Sequence, residues 1–300
     1  MLASLEALLS SVVDYAGLFP PAKLELQPAM ANYAQYQTSP YNWMLGRFIL
    51  PISRLQEFEQ LLPEYPTQWP LSIIITKDVK DAMSDDKPRS VYALLQSLNN
   101  PKIAITSLEF PPLPPTEIAK ILPLLPAEVE SFFEIPFNSD LQSYLSVLQQ
   151  TRAAAKIRTG GVTVDAFPSI TQLCQSIFAF AAAQIPFKAT AGLHHPLLSK
   201  HPVTTEPNSP VALMQGFLNV AVLAALAYQQ KLTPEIALEL LQESSTDNFH
   251  FTSDRLSWKN YHLNIAEIQS ARKNFFRSFG SCSFQEPIDD LKELKLLESV

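Results

Sequence analysis

The sequence predicts an α/β protein whose parallel sheet closes into a single (β/α)8 barrel, a TIM barrel. Three observations lead there. Eight short runs rich in β-branched and aromatic residues alternate with longer stretches of helical periodicity, as repeated strand–helix units require. The 300 residues, 47% of them hydrophobic and 17% charged, are enough for one large core. Charged residues recur inside the strands near their carboxyl ends, which is where such barrels carry their active sites. The same alternation permits an open doubly wound sheet as the alternative.

The strands are expected, in order, in "VVDYAGLF" (12–19), "WMLGRFILP" (43–51), "LSIIIT" (71–76), "KIAITSLEF" (102–110), "VESFFEIPF" (129–137), "AKIRTG" (155–160), "FKATAG" (187–192) and "SFGSCSF" (278–284). The first competes with a helical "SLEALLSSVV" that precedes it. Helices are expected in "LQPAMANYAQY", "SRLQEFEQLL", "SVYALLQSL", "PTEIAKILPLL", "DLQSYLSVLQQTRAA", "SITQLCQSIFAFAAAQ" and "EPIDDLKELKLL". Proline falls at helix starts and strand ends, where its fixed φ and missing N–H are tolerated. The charged "TKDVKDAMSDDKPRS" (76–90) reads as a solvated loop. Residues 193–277 are too many for one connection and read as an insertion between the seventh and eighth strands of a single domain, 1–300. That insertion should hold two helices, in "SPVALMQGFLNVAVLAALAYQQ" and "TPEIALELLQES", a β-hairpin in "NFHFTSDRLSWKN" and a helix in "IAEIQSARKNFFR".

Composition narrows the function classes. The net charge is −7 and the pI about 5.3, so the basic footprint of a nucleic-acid binder is missing, while a local basic pocket for a small anion is not excluded. Two cysteines, Cys174 and Cys282, make no disulfide framework, and a reducing cytoplasm is the expected setting. "MLASLEALLSSVV" has a glutamate and no basic start, unlike a secretory leader. "GFLNVAVLAALAY" (216–228) is too short to span a bilayer and reads as a buried helix, so no membrane partner is expected. The sequence leaves a homo-oligomer open.

Strand side chains alternate between faces. Lys156, Arg158 and Gly160 therefore share one face of the sixth strand, and Lys188, Thr190 and Gly192 one face of the seventh. Glu134 on the fifth strand and Glu109 on the fourth, in phase with Ser107, can face the same interior. Buried ion pairs are seldom more stabilising than apolar packing, so charges converging at one end argue for a ligand site rather than a structural device. Two lysines and an arginine in a desolvated pocket are expected to disfavour one another's protonation, and a neutral lysine attacks carbonyl carbon. Gly160, Gly161 and Gly192 let backbone N–H groups approach a phosphate or carboxylate. Asp14 and Tyr15 lie within reach of a substrate, and the "AGLFPP" turn should cover the site. His194 and His195 follow the seventh strand. With Glu134 or Glu109 they define an alternative, a metal-dependent barrel enzyme, although adjacent histidines usually point apart.

The motif "KIRTGG" (156–161) resembles the K-T-x-T-G motif on the sixth strand of the class I, Schiff-base-forming deoxyribose-phosphate aldolase family, and "KATAGL" (188–193) resembles the K-A-S-G-G motif on its seventh. "FGSCS" (279–283) is similar to that family's G-T-S-S phosphate-binding turn, and "VDYAGLFPP" (13–21) to its opening I-D-H-T-L-L-x-P. "FILP" and "FFEIP" match its second and fifth strand ends. The order of elements agrees along the chain outside 193–277. The resemblance implies a (β/α)8 barrel acting as a carbon–carbon lyase without a cofactor or a metal. It implies Lys156 as the Schiff-base lysine and Lys188 as the neighbour that lowers its pKa. It gives Glu109 the part of the family's strand-four aspartate, with Glu134 and Asp14 beside it. Gly280, Ser281, Cys282 and Ser283 would join Gly160, Gly161, Thr190, Gly192, His194 and His195 around an anionic group. Arg158 stands where the family has a small residue. It is suited to grip a substrate carboxylate or phosphate, which points to a small anionic carbonyl substrate other than deoxyribose phosphate. A non-catalytic sensor of a small anion is the remaining alternative.

Overall fold

The computed structural model describes residues 2–62, 67–76 and 100–298. Eight parallel strands close into a barrel: β1 (Val13–Tyr15), β2 (Leu45–Pro51), β3 (Trp69–Ile74), β4 (Ile103–Phe110), β5 (Glu130–Glu134), β6 (Ala154–Arg158), β7 (Phe187–Thr190) and, last in the chain, Phe276–Ser281, which pairs with both β7 and β1. This is the (β/α)8 architecture expected from the alternation, and closure removes every edge from the main sheet. The solvated loop and the "SVYALLQSL" helix expected between β3 and β4 lie outside the described residues, apart from their first residue and none respectively.

The strands are apolar toward the helices. Ile157, Phe187, Ala189, Phe133 and Leu108 are buried in one cluster with helix residues such as Leu173, Ile177 and Phe180. Beneath β1–β3 an aromatic group of Tyr15, Tyr33, Phe48, Phe58 and Trp69 packs with ring centroids 4.7–6.2 Å apart. The helix Ile170–Ala183 starts at a capping box in which Ser169 and Gln172 satisfy each other's backbone N–H groups. Residues 164–183 are long and apolar enough to cross a membrane by composition, but Leu173, Ile177 and Phe180 of this stretch are buried against the barrel.

Between β7 and the last barrel strand the chain forms a ribbon of β8 (Ser199–Pro202) and β9 (Val211–Met214), the helices Phe217–Tyr228 and Pro234–Leu241, a meander of β10 (Phe249–Phe251), β11 (Arg255–Trp258) and β12 (Tyr261–Asn264), and the helix Ile265–Asn274; the final barrel strand is therefore β13. Phe217–Tyr228 is buried on every side except at Tyr228. Its Asn219 Nδ2 donates to the carbonyls of Leu240 and Glu243, both at 2.8 Å, which pins the next helix over it.

Several elements differ from expectation for local reasons. β1 has three residues rather than eight, because the Phe19 N–H turns back to the Ala16 carbonyl. Val211–Met214 is a strand rather than the start of a helix: it alternates exposed and buried and pairs with β8, and the helix begins only after Gly216. The hairpin gains a third strand, β12. The helix that precedes β13 ends at Asn274, so Phe276 and Arg277 belong to the strand.

Candidate active site

The barrel interior is unusually polar. Asp14, Ser72, Ser107, Glu109, Lys156, Lys188 and Ser278 are all buried there. The register puts Glu134 opposite Lys156 on β5–β6, and Lys156 opposite Lys188 on β6–β7. The side chains form one chain of alternating charge. At the carboxyl end Arg158 Nε meets Glu134 Oε1 at 3.0 Å, and Glu134 Oε2 lies 3.3 Å from Lys156 Nζ. Lys156 Nζ is 3.5 Å from Glu109 Oε2, and Glu109 Oε1 takes Lys188 Nζ at 2.7 Å. Lys188 Nζ then meets Asp14 Oδ2 at 2.5 Å, and Arg47 Nη1 approaches the same oxygen at 3.7 Å. Serines complete the acceptors: Ser72 donates to Glu109 at 2.6 Å and Ser278 to Asp14 at 2.6 Å.

The two lysines occupy different places. Lys188 is wholly buried. Burial alone would lower its pKa, but the carboxylates of Asp14 and Glu109 outweigh that and raise it. Burial would raise both carboxylates, but Lys188 and Lys156 hold Glu109 down to about 2, and Lys188 and Arg47 keep Asp14 below the usual carboxylate range. Mutual suppression of protonation therefore does not hold for Lys188. Glu109 stands between the two ammonium groups and neutralises the repulsion that their spacing on the strands implied. Lys188 is a fixed cation. Lys156, by contrast, borders a cavity of 390 Å³ at the carboxyl-end mouth of the barrel. Glu109 Oε2 is buried and accepts no hydrogen bond, so it presents a free lone pair on the Lys156 side.

The mouth brings together Lys156, Glu134, Arg158, Gly161, Thr190, His194, Gly280 and Cys282 with Ala16, Phe19 and Pro20 of the turn after β1. Asp14 and Glu109 sit behind Lys156 and do not border it. Gly160 and Gly192 press against each other, since a Cβ on Gly160 would lie 2.7 Å from the Gly192 Cα, and Gly192 borders an adjoining cavity rather than this mouth. Ser281 and Ser283 are spent on their own turn, the Ser281 hydroxyl donating to the Ser283 carbonyl and the Ser283 hydroxyl accepting from the Glu286 N–H. The histidines diverge. His194 Nδ1 lies 3.3 Å from Glu286, whereas His195 Nδ1 meets Asp290 at 2.6 Å and its ring stacks on His201 in an adjoining cavity. Burial opposes the charge on His194, but hydrogen bonds to Cys282 and Glu286 prevail and lift its pKa to about 9. Glu134 is paired with Lys156 and Arg158, and among the described residues no group of three or more His, Cys, Asp and Glu side chains is placed to hold a metal ion.

Arg47, Ser72, Ser278, Glu130 and Glu286 were not singled out by sequence. Arg47 and Ser72 are lone polar residues in otherwise apolar strands, the signal that exposed Glu109. Glu286 carried no such signal, since only the turn after β13 brings it to His194.

Fold and site define a closed (β/α)8 barrel with an ionic interior and a lysine-bearing cavity at its carboxyl-end mouth. No protein-family model matches the chain, and a search of curated proteins finds no match.

Proposed function

We propose that the protein is a carbon–carbon lyase of the class I aldolase type, in which Lys156 forms a Schiff base with a small carbonyl substrate bearing a phosphate or carboxylate. The observation that carries this reading is that Lys156, and not Lys188, borders the mouth cavity, with carboxylates 3.3 and 3.5 Å from its Nζ. In its neutral form Nζ adds to the carbonyl carbon. A proton passes from nitrogen to the former carbonyl oxygen, and a second proton lets that hydroxyl leave as water, giving a cationic iminium. Glu134, in contact with Nζ and open to the cavity, is the group placed to carry both protons. The iminium keeps the positive charge of the ammonium, so Glu109 and Glu134 pair with it as they did with the lysine. Cleavage then takes a proton from the substrate's β-hydroxyl and moves the C–C electron pair to the iminium nitrogen as an enamine. Arg158 and protonated His194 supply positive charge for the substrate's anionic group.

Borohydride trapping with a panel of aldehydes and keto acids, read by intact mass, tests the reading. The wild type should gain one reduced adduct on Lys156, and Lys156→Met should gain none while keeping its circular dichroism. An adduct that persists in Lys156→Met, or no adduct with any carbonyl compound, would overturn it; saturable binding of the same anions without an adduct would favour the sensor alternative.

A further inference from the structure

The amino-terminal end of the barrel holds a second cavity, of 740 Å³, that the mouth chemistry does not use. It is walled by the helix Ala3–Leu9, the start of β2, the helix Ile265–Asn274 and the start of β13. Four cationic side chains border it, Arg47, Arg272, Lys273 and Arg277, against the carboxylates of Glu6 and Asp14. Two of the cations have carboxylate partners: Glu130 takes Arg47 Nη2 at 2.9 Å and lies 2.7 Å from Arg277 Nε. Arg272 has none among the described residues. Its Nη1 donates to the Phe276 carbonyl and its Nη2 to the Ser10 carbonyl at 3.0 Å, while its Nε is buried with no acceptor. Arg277 Nε, despite its distance to Glu130, also lacks a hydrogen bond of proper geometry. Burial and the charges of Arg277 and Arg47, opposed by Asp14, bring Arg272 to about 10, so it remains a cation at neutral pH.

Ion clusters at this end of a barrel ordinarily serve stability, and a stabilising cluster closes its charges on one another. This one leaves a guanidinium without a carboxylate partner among the described residues and two buried N–H groups unsatisfied in the cavity wall. Leaving such groups unpaired costs stability unless a ligand completes them. We propose that this floor cavity binds a small organic anion through its phosphate group, taken by Arg272, Arg277 and Lys273, with the organic part against Ala7, Leu45 and Ile265. Planar guanidinium forks match phosphate oxygens with paired hydrogen bonds, and a cavity of this size has room for more than the phosphate itself.

The probe is an inorganic oxyanion. Inorganic phosphate binding is titrated by calorimetry in the Arg158→Gln background, which weakens the mouth, and tungstate is located in crystals of the wild type by anomalous scattering. Tungstate should appear between Arg272 and Arg277, and Arg272→Gln should weaken phosphate binding about tenfold or more. Lys273→Glu, at an exposed position, should weaken it several-fold without touching the core. If Arg272→Gln fails to fold, Lys273→Glu decides. No phosphate binding in the Arg158→Gln background, tungstate confined to the mouth, or wild-type phosphate affinity in a folded floor variant would each overturn the proposal. The outcome is independent of whether Lys156 forms a Schiff base.

Discussion

Lys188 is held by two carboxylates where water does not reach, and removing it exposes what each was worth. Lys188→Met leaves Asp14 with Ser278 at 2.6 Å and the more distant Arg47, and Glu109 with Ser72 and Lys156. Breaking one partner out of such a cluster costs roughly 3–5 kcal/mol, because a buried charge is left under-compensated. Lys156→Met should cost less, under about 2 kcal/mol, since Glu109 keeps Lys188 at 2.7 Å and Glu134 keeps Arg158 at 3.0 Å. Urea unfolding of the two variants at neutral pH measures the order; equal losses would mean that the interior around Lys188 is wetter than its geometry implies. Glu109→Gln removes the charge that separates the lysines. It should cost several kcal/mol in the same assay and, if Lys156 is the nucleophile, speed adduct formation near neutral pH in borohydride trapping, because the carboxylate that favours its ammonium form is gone.

At the scale of elements, the ends of β6 and β7 are pressed together by their glycines. Gly192 has φ +79°, and a Cβ there would lie 2.5 Å from the Thr159 carbonyl oxygen. Gly192→Ala and Gly160→Ala should each destabilise by roughly 2–4 kcal/mol. Gly280→Ala is the control, because its nearest neighbours are the Ile49 Cδ1 at 3.3 Å and the Thr190 Oγ1 at 3.5 Å; its melting temperature should stay close to the wild type. The glycines after the two lysine strands were legible in the sequence, but their use was not. Alternation along a strand tells which face a residue takes, so Lys156, Lys188 and Glu109 could be gathered into one interior. It does not tell how closely two strand ends approach, nor that Glu109 would sit between the lysines. The ribbon of β8 and β9 was hidden for a similar reason. "PVALM" is apolar enough for either a helix or a strand, and only pairing with Ser199–Pro202, across a loop of eight residues, decides it.

Across the whole molecule, the polar interior makes stability depend on pH at both ends of the scale. Glu109, lowered from 4.5 to about 2, and Asp14, lowered from 3.8, contribute stability above their ordinary values that is lost as the pH falls toward 2. His194, raised from 6.5 to about 9, contributes stability that is complete below 6.5 and lost as the pH rises through 9. Its share is on the order of 1–3 kcal/mol once screening at half-exposed Glu286 is allowed for. Melting temperatures should therefore fall between pH 6.5 and 9, and His194→Gln should flatten that alkaline limb while leaving the acid limb in place. Asp14, finally, belongs to the first strand of the barrel, yet Lys188 is 174 residues away and Ser278 264 residues away. A ribosome delivers these partners in order. Asp14 must stay hydrated while the chain through Ser278 is made, and β1 has one neighbour until β13 emerges. The barrel cannot seal its first strand before β13 has left the ribosome.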